Sequence, residues 1–214
     1  MPDGNMPIDE AISLQERTLR ERIQLLLSAM SSTDDGPIDT FSSEMLERIA
    51  SSGLYVVRGS SVLMPDGNAT IFSGDSSTTR AVAKEYSANG QIPLSLGPTF
   101  WMEDNPTLMV YNDNFQKGHP KNGPVAAPLG NIVVFLERSA GSVRLIERAE
   151  MPQEELLKEL NDYEEGSRVR DTMRRTLANI LRTTPIMAFE VGPDAKVSRI
   201  YNRLENYRTL TMQP

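Results

Sequence analysis

The chain has 214 residues, a formal net charge of −7, one histidine and no cysteine. A chain of this length buries about 70% of its unfolded surface, so it needs neither disulfides nor a metal to hold a core. The missing cysteines exclude thiolate catalysis and cysteine-ligated zinc or iron–sulfur sites, and the lone histidine excludes zinc centres of the usual kind.

The first residues, "MPDGNMPIDEAIS", carry acids where a signal peptide carries positive charge, and no apolar run reaches the ~18 residues of a membrane span. These features predict a soluble protein, cytoplasmic or within an intracellularly assembled particle. Residues 8–30 follow a helical period, with Ile12, Leu19, Ile23 and Leu26 in one apolar stripe. A stripe this narrow suits packing on the chain's own domain or against a second copy. "SSTDDGPID" at 31–39 is a polar break. Residues 1–36 therefore read as an N-terminal helix and linker, a packing or oligomerisation arm, ahead of a single domain over 37–214.

Short β-branched or aromatic runs follow at "LYVV" (54–57), "SVLM" (61–64) and "ATIF" (69–72). Between the last two lies "MPDGN", which also opens the chain. At 64–68 Pro65 presets the first turn corner and Gly67 supplies a positive φ, which predicts a hairpin turn. At residues 1–5 no strand precedes it, so the two copies are not a repeat unit. "SSTTRAVAKEYSANG" then predicts a helix ending at Gly90.

Residues 90–130 are rich in Pro, Gly and Asn, and read as irregular apart from a strand at "TLMVY" (107–111). "NIVVFLE" (131–137) is apolar enough for a central strand, and with "SVRLIERA" (142–149) it reads as a hairpin around "RSAG". Two helices are expected over 153–183, a strand at "IMAFEV" (186–191), and a last helix from Val197. This order predicts an α+β fold: a mainly antiparallel sheet with a long N-terminal helix and C-terminal helices packed on it.

No catalytic constellation is assembled. His119 has Asp113 near it but no G-x-S-x-G elbow, and no EF-hand spacing or metal cluster appears. The reading leans against an enzyme and expects no cofactor. Two stretches carry candidate binding chemistry. In "SGDSSTTR", Ser76, Ser77, Thr78, Thr79 and Arg80 sit at a strand-to-helix junction, where backbone N–H groups attract anions. The stretch lacks G-x-x-x-x-G-K-[ST] and is no P-loop, and Asp75 or Ser76 also serves as an ordinary cap.

The second stretch is basic. Residues 1–166 hold 13 basic against 25 acidic residues, a charge of −12, whereas 167–214 hold 9 against 4, a charge of +5. Arg168, Arg170, Arg174, Arg175, Arg199 and Arg203 offer bidentate contacts to a carboxylate or phosphate surface. The chain's negative charge favours a protein partner over nucleic acid. The expected function is a self-associating structural or assembly protein, such as a virion or other large-particle subunit. It would form homo-oligomers through the N-terminal helix and the C-terminal arginines. The alternatives are a sensor or adaptor taking a phosphate-containing ligand near 74–80, or a nucleic-acid-contacting protein.

Overall fold

The structure is a computed structural model that describes residues 54–97, 99–104, 107–112, 124, 126–137, 143–146, 184–192 and 194–211. Strand β1 is Leu54–Val57, β2 Gly59–Leu63 and β3 Ala69–Ser73. The turn joining β2 to β3 forms as its residues dictate. Gly67 N–H donates to the Met64 carbonyl at 3.0 Å, and Met64 N–H donates to the Asn68 carbonyl at 2.8 Å. Gly67 takes φ 83°, and the Asp66 carboxylate accepts from Asn68 N–H at 3.0 Å.

Helix α1 is Ser76–Ala88, followed by β4 Ile92–Ser95, β5 Thr99–Asp104, β6 Thr107–Tyr111, β7 Ala126–Glu137, β8 Arg144–Ile146, β9 Ile186–Val191 and helix α2 Val197–Thr211. The strands join in the order β1-β5-β6-β7-β3-β2-β4, with β9 on β7 and β8 on β9. Twelve-residue β7 serves three partners. Its first residues pair antiparallel with β6, its middle runs parallel to β3, and its last six run parallel to β9.

This overturns the expected α+β fold with its mainly antiparallel sheet: the sheet is mixed, and its centre is parallel. The physical reason is legible afterwards in "IVVFL". Ile132, Val133, Val134, Phe135 and Leu136 are all buried, so this strand is covered on both faces, as central parallel strands are. The expected hairpin of 131–137 with 142–149 does not form. Instead β8 pairs antiparallel with β9, Leu145 opposite Phe189. The 90–130 stretch also holds more order than its composition predicts, since β4, β5, β6 and the start of β7 lie in it. The N-terminal helix, the 1–36 boundary and the 153–183 helices lie outside the described residues.

Alternation along the strands sorts the core into two faces. One carries Val62, Phe72, Val133, Phe135, Phe189 and Val191, on which α1 packs Val82, Ala83 and Tyr86 and α2 packs Ile200 and Leu204. Each fully buried apolar side chain here is worth about 1.5–3 kcal/mol. Tyr86 and Tyr201 meet edge to face at 4.8 Å. The Tyr86 hydroxyl donates to Glu205 Oε1 at 2.9 Å, and Arg208 pairs with that carboxylate at 3.2 Å. Burial, then the Glu205 charge, pushes the Tyr86 phenol well above its ordinary value. The opposite face carries Ile71, Ile132, Val134, Leu136, Ile186 and Ala188, buried as well. Among the described residues no helix is long and apolar enough to cross a membrane.

Candidate functional site

Strands β3, β7 and β9 run parallel, so their carboxyl ends open on one edge of the sheet. In open sheets with a parallel centre, ligands settle in the crevice beyond such ends. Here the edge carries a cleft of about 230 Å³, lined by Asp75, Ser77 and Thr78 from the β3–α1 junction and Phe135 and Glu137 from the end of β7. Val191, Gly192 and Ala195, from β9 and the turn that leads into α2, also line it.

The junction is built by local chemistry. After β3 the chain passes so close to β7 that a Cβ on Gly74 would sit 2.6 Å from the Phe135 carbonyl oxygen, at φ 132°. Only glycine tolerates both conditions. Asp75 then caps α1, its Oδ2 accepting from Thr78 N–H at 2.9 Å and from the Ser77 hydroxyl. Both of these bonds fall on Oδ2. The Ser77 hydroxyl bond, reinforced by the Thr78 N–H and opposed by partial burial, holds the Asp75 carboxyl below the usual range.

Asp75→Ala is expected to destabilise the fold by about 1 kcal/mol in chemical denaturation. The sign of the pH effect follows from the lowered pKa. The cap's contribution is complete above the ordinary carboxylate pKa of about 4 and disappears as pH falls through the depressed folded value. The difference between wild type and variant should therefore shrink in acid; a difference constant down to pH 2 would contradict this role.

The five sequence-predicted anion residues divide. Ser77 and Thr78 line the cleft. Ser76 is the exposed first residue of α1. Thr79 is buried, its hydroxyl donating to the Ser76 carbonyl at 3.2 Å. Arg80 donates through Nε to the Leu96 carbonyl at 2.9 Å, which ties it to the end of β4. Of the predicted partner-binding residues, Arg199 and Arg203 are exposed on α2, while Ile12, Leu19, Ile23, Leu26, Arg168, Arg170, Arg174 and Arg175 lie outside the described residues, as does His119. Sequence reasoning missed Phe135, Glu137, Val191, Gly192 and Ala195, which only the parallel pairing brings to Asp75. The one signal for Glu137 is local: it is the first charge after the apolar run of β7.

Electrostatically the cleft is acidic. Among the described residues, Asp75 and Glu137 are its charged lining residues, and no basic side chain lines it. Among the described residues no group of three His, Cys, Asp or Glu side chains is placed to cage a metal ion by itself.

No family model matches the chain, and no curated protein matches it. Among solved structures it is similar to the Hpr(Ser) kinase/phosphatase from Coxiella burnetii, with 7% sequence identity, 74% of this chain and 99% of that chain covered, and a TM-score of 0.42. A likeness at that level assigns neither a family nor an activity.

Proposed function

We propose that this chain is a ligand-binding domain that takes a small phosphate-containing ligand, together with a divalent cation, in the cleft at the carboxyl ends of β3, β7 and β9. The observation that carries the reading is the cleft's composition. The N-terminus of α1, with its dipole, favours phosphate oxygens from one wall, although Asp75 already takes the Thr78 N–H and the Ser77 hydroxyl, and two carboxylates in the same space repel them. A divalent cation between ligand and protein resolves that conflict. Magnesium keeps several waters and takes one or two carboxylates plus phosphate oxygens, not an all-protein cage. The Asp75 and Glu137 carboxylates supply such a donor set. The cation bridges charge; Thr78 and the Gly192 backbone orient the ligand.

Thermal denaturation with phosphate, pyrophosphate and nucleoside di- and triphosphates, each with and without Mg²⁺, tests the reading. The expected result is stabilisation only when both components are present, worth about 2.7 kcal/mol at a hundredfold excess over Kd. Glu137→Gln should weaken it about tenfold or more, and Ala195→Trp, which fills the cleft, should abolish it. Stabilisation by amines or guanidinium compounds, indifferent to Mg²⁺, would replace this reading with a cation-binding cleft. A flat response throughout would refute it.

A further inference from the structure

A second surface begins beside the cleft, at the residue after Ala195, and runs along α2. Lys196, the residue just before α2, and Arg199 and Arg203 within it recur at steps of three and four residues, so they fall within about 60° of arc on one edge at the start of the helix. All three are exposed, and among the described residues none is held in an ion pair or hydrogen bond by its side chain. The contrast within the same helix is Arg208, which is engaged by Glu205. Three like charges on one edge repel each other and gain nothing from the fold.

From this edge we infer that α2 docks on an acidic surface of a second copy of this chain. Charge complementarity selects the occupant. The chain carries −7 overall, with −12 in residues 1–166 against +5 in 167–214. Exposed Asp66, Asp75, Glu137 and Asp194 show that the described domain itself presents carboxylates. A nucleic acid has no positive charge to set against the chain's remaining acidic surface, whereas two copies can each offer a basic edge to the other's acidic face and so offset the repulsion of their −7 net charges. A second copy meets the edge with carboxylates, whose geometry suits the planar guanidinium of Arg199 and Arg203. The inference does not depend on the cleft binding a ligand.

Sedimentation velocity of the full chain at several concentrations, in low and high salt, tests it. The expected result is reversible self-association at low salt that weakens as salt rises. The charge reversal Lys196→Glu, Arg199→Glu, Arg203→Glu should raise the dissociation constant at least about tenfold. Its melting temperature should stay near the wild-type value, since all three side chains are exposed. The milder Lys196→Ala, Arg199→Ala, Arg203→Ala should lie between. A monomer under all conditions overturns the inference, as does association that neither variant nor salt changes. Fluorescence anisotropy with a single-stranded oligonucleotide is the remaining arm: binding lost in the reversal variant, with the protein monomeric, overturns it in favour of nucleic acid.

Discussion

Gly59→Ala is expected to destabilise the protein by on the order of 3 kcal/mol or more, a large share of a domain's net stability. Gly59 has φ 145°, and a Cβ built there would lie 1.9 Å from the Phe72 carbonyl oxygen and 2.9 Å from its carbon. These are backbone atoms of β3, hydrogen-bonded in the sheet, so no side-chain rotation relieves the clash. The position also matters topologically. Gly59 opens β2, which pairs with β3 and β4, while β1 just before it pairs with β5. Its carbonyl accepts from the Thr99 hydroxyl at 3.2 Å, tying the start of β2 to the start of β5. Gly97→Ala is the control, because nothing lies within 4 Å of a Cβ there; its effect should stay within about 0.5 kcal/mol. Equal denaturation midpoints for the two variants would contradict this account of the β1–β2 crossing.

Trp101→Ala should be comparably severe, about 3–5 kcal/mol. The side chain is 1% exposed. It stacks on Tyr55 with ring centroids 4.8 Å apart and stands opposite Tyr55 and Val110 in the ladders that join β5 to β1 and β6. Truncation removes the largest buried side chain of this limb of the sheet and leaves a cavity that strands cannot close by sliding. Trp101→Phe keeps most of the apolar volume and should lose far less. Far-UV circular dichroism in denaturant reads both variants without needing the single tryptophan as a probe. A loss below about 1 kcal/mol for Trp101→Ala would mean that the β1–β5–β6 limb does not fold cooperatively with the rest.

These two positions also show where sequence reasoning stops. The Met64–Asn68 turn was legible because its chemistry is local: Pro65, Asp66 and Gly67 act on their own backbone. The periods of α1 and α2, and the β-branched runs of β1, β3, β6 and β9, were legible for the same reason. Strands β4 and β5 were not, because Pro93 sits inside one and the stretch around both is rich in turn residues. The burial of central β7 is legible in its apolar run, but its direction relative to β3 and β9 is set by long-range pairing that no window of residues contains. The candidate site divides along the same line. Ser77 and Thr78 follow from a strand-to-helix junction, whereas Glu137 and Gly192 reach Asp75 only through the parallel centre of the sheet. The sign of the cleft's charge follows from that long-range meeting, and with it the argument for a bridging cation.

The most direct measurement is a titration followed through backbone amide resonances, using pyrophosphate with and without Mg²⁺. The account predicts that, with Mg²⁺ present, shifts concentrate at Ser77, Thr78, Gly192 and Ala195 and vanish in Glu137→Gln. Shifts elsewhere on the sheet, or shifts at these amides that ignore both Mg²⁺ and the Glu137 substitution, would contradict it.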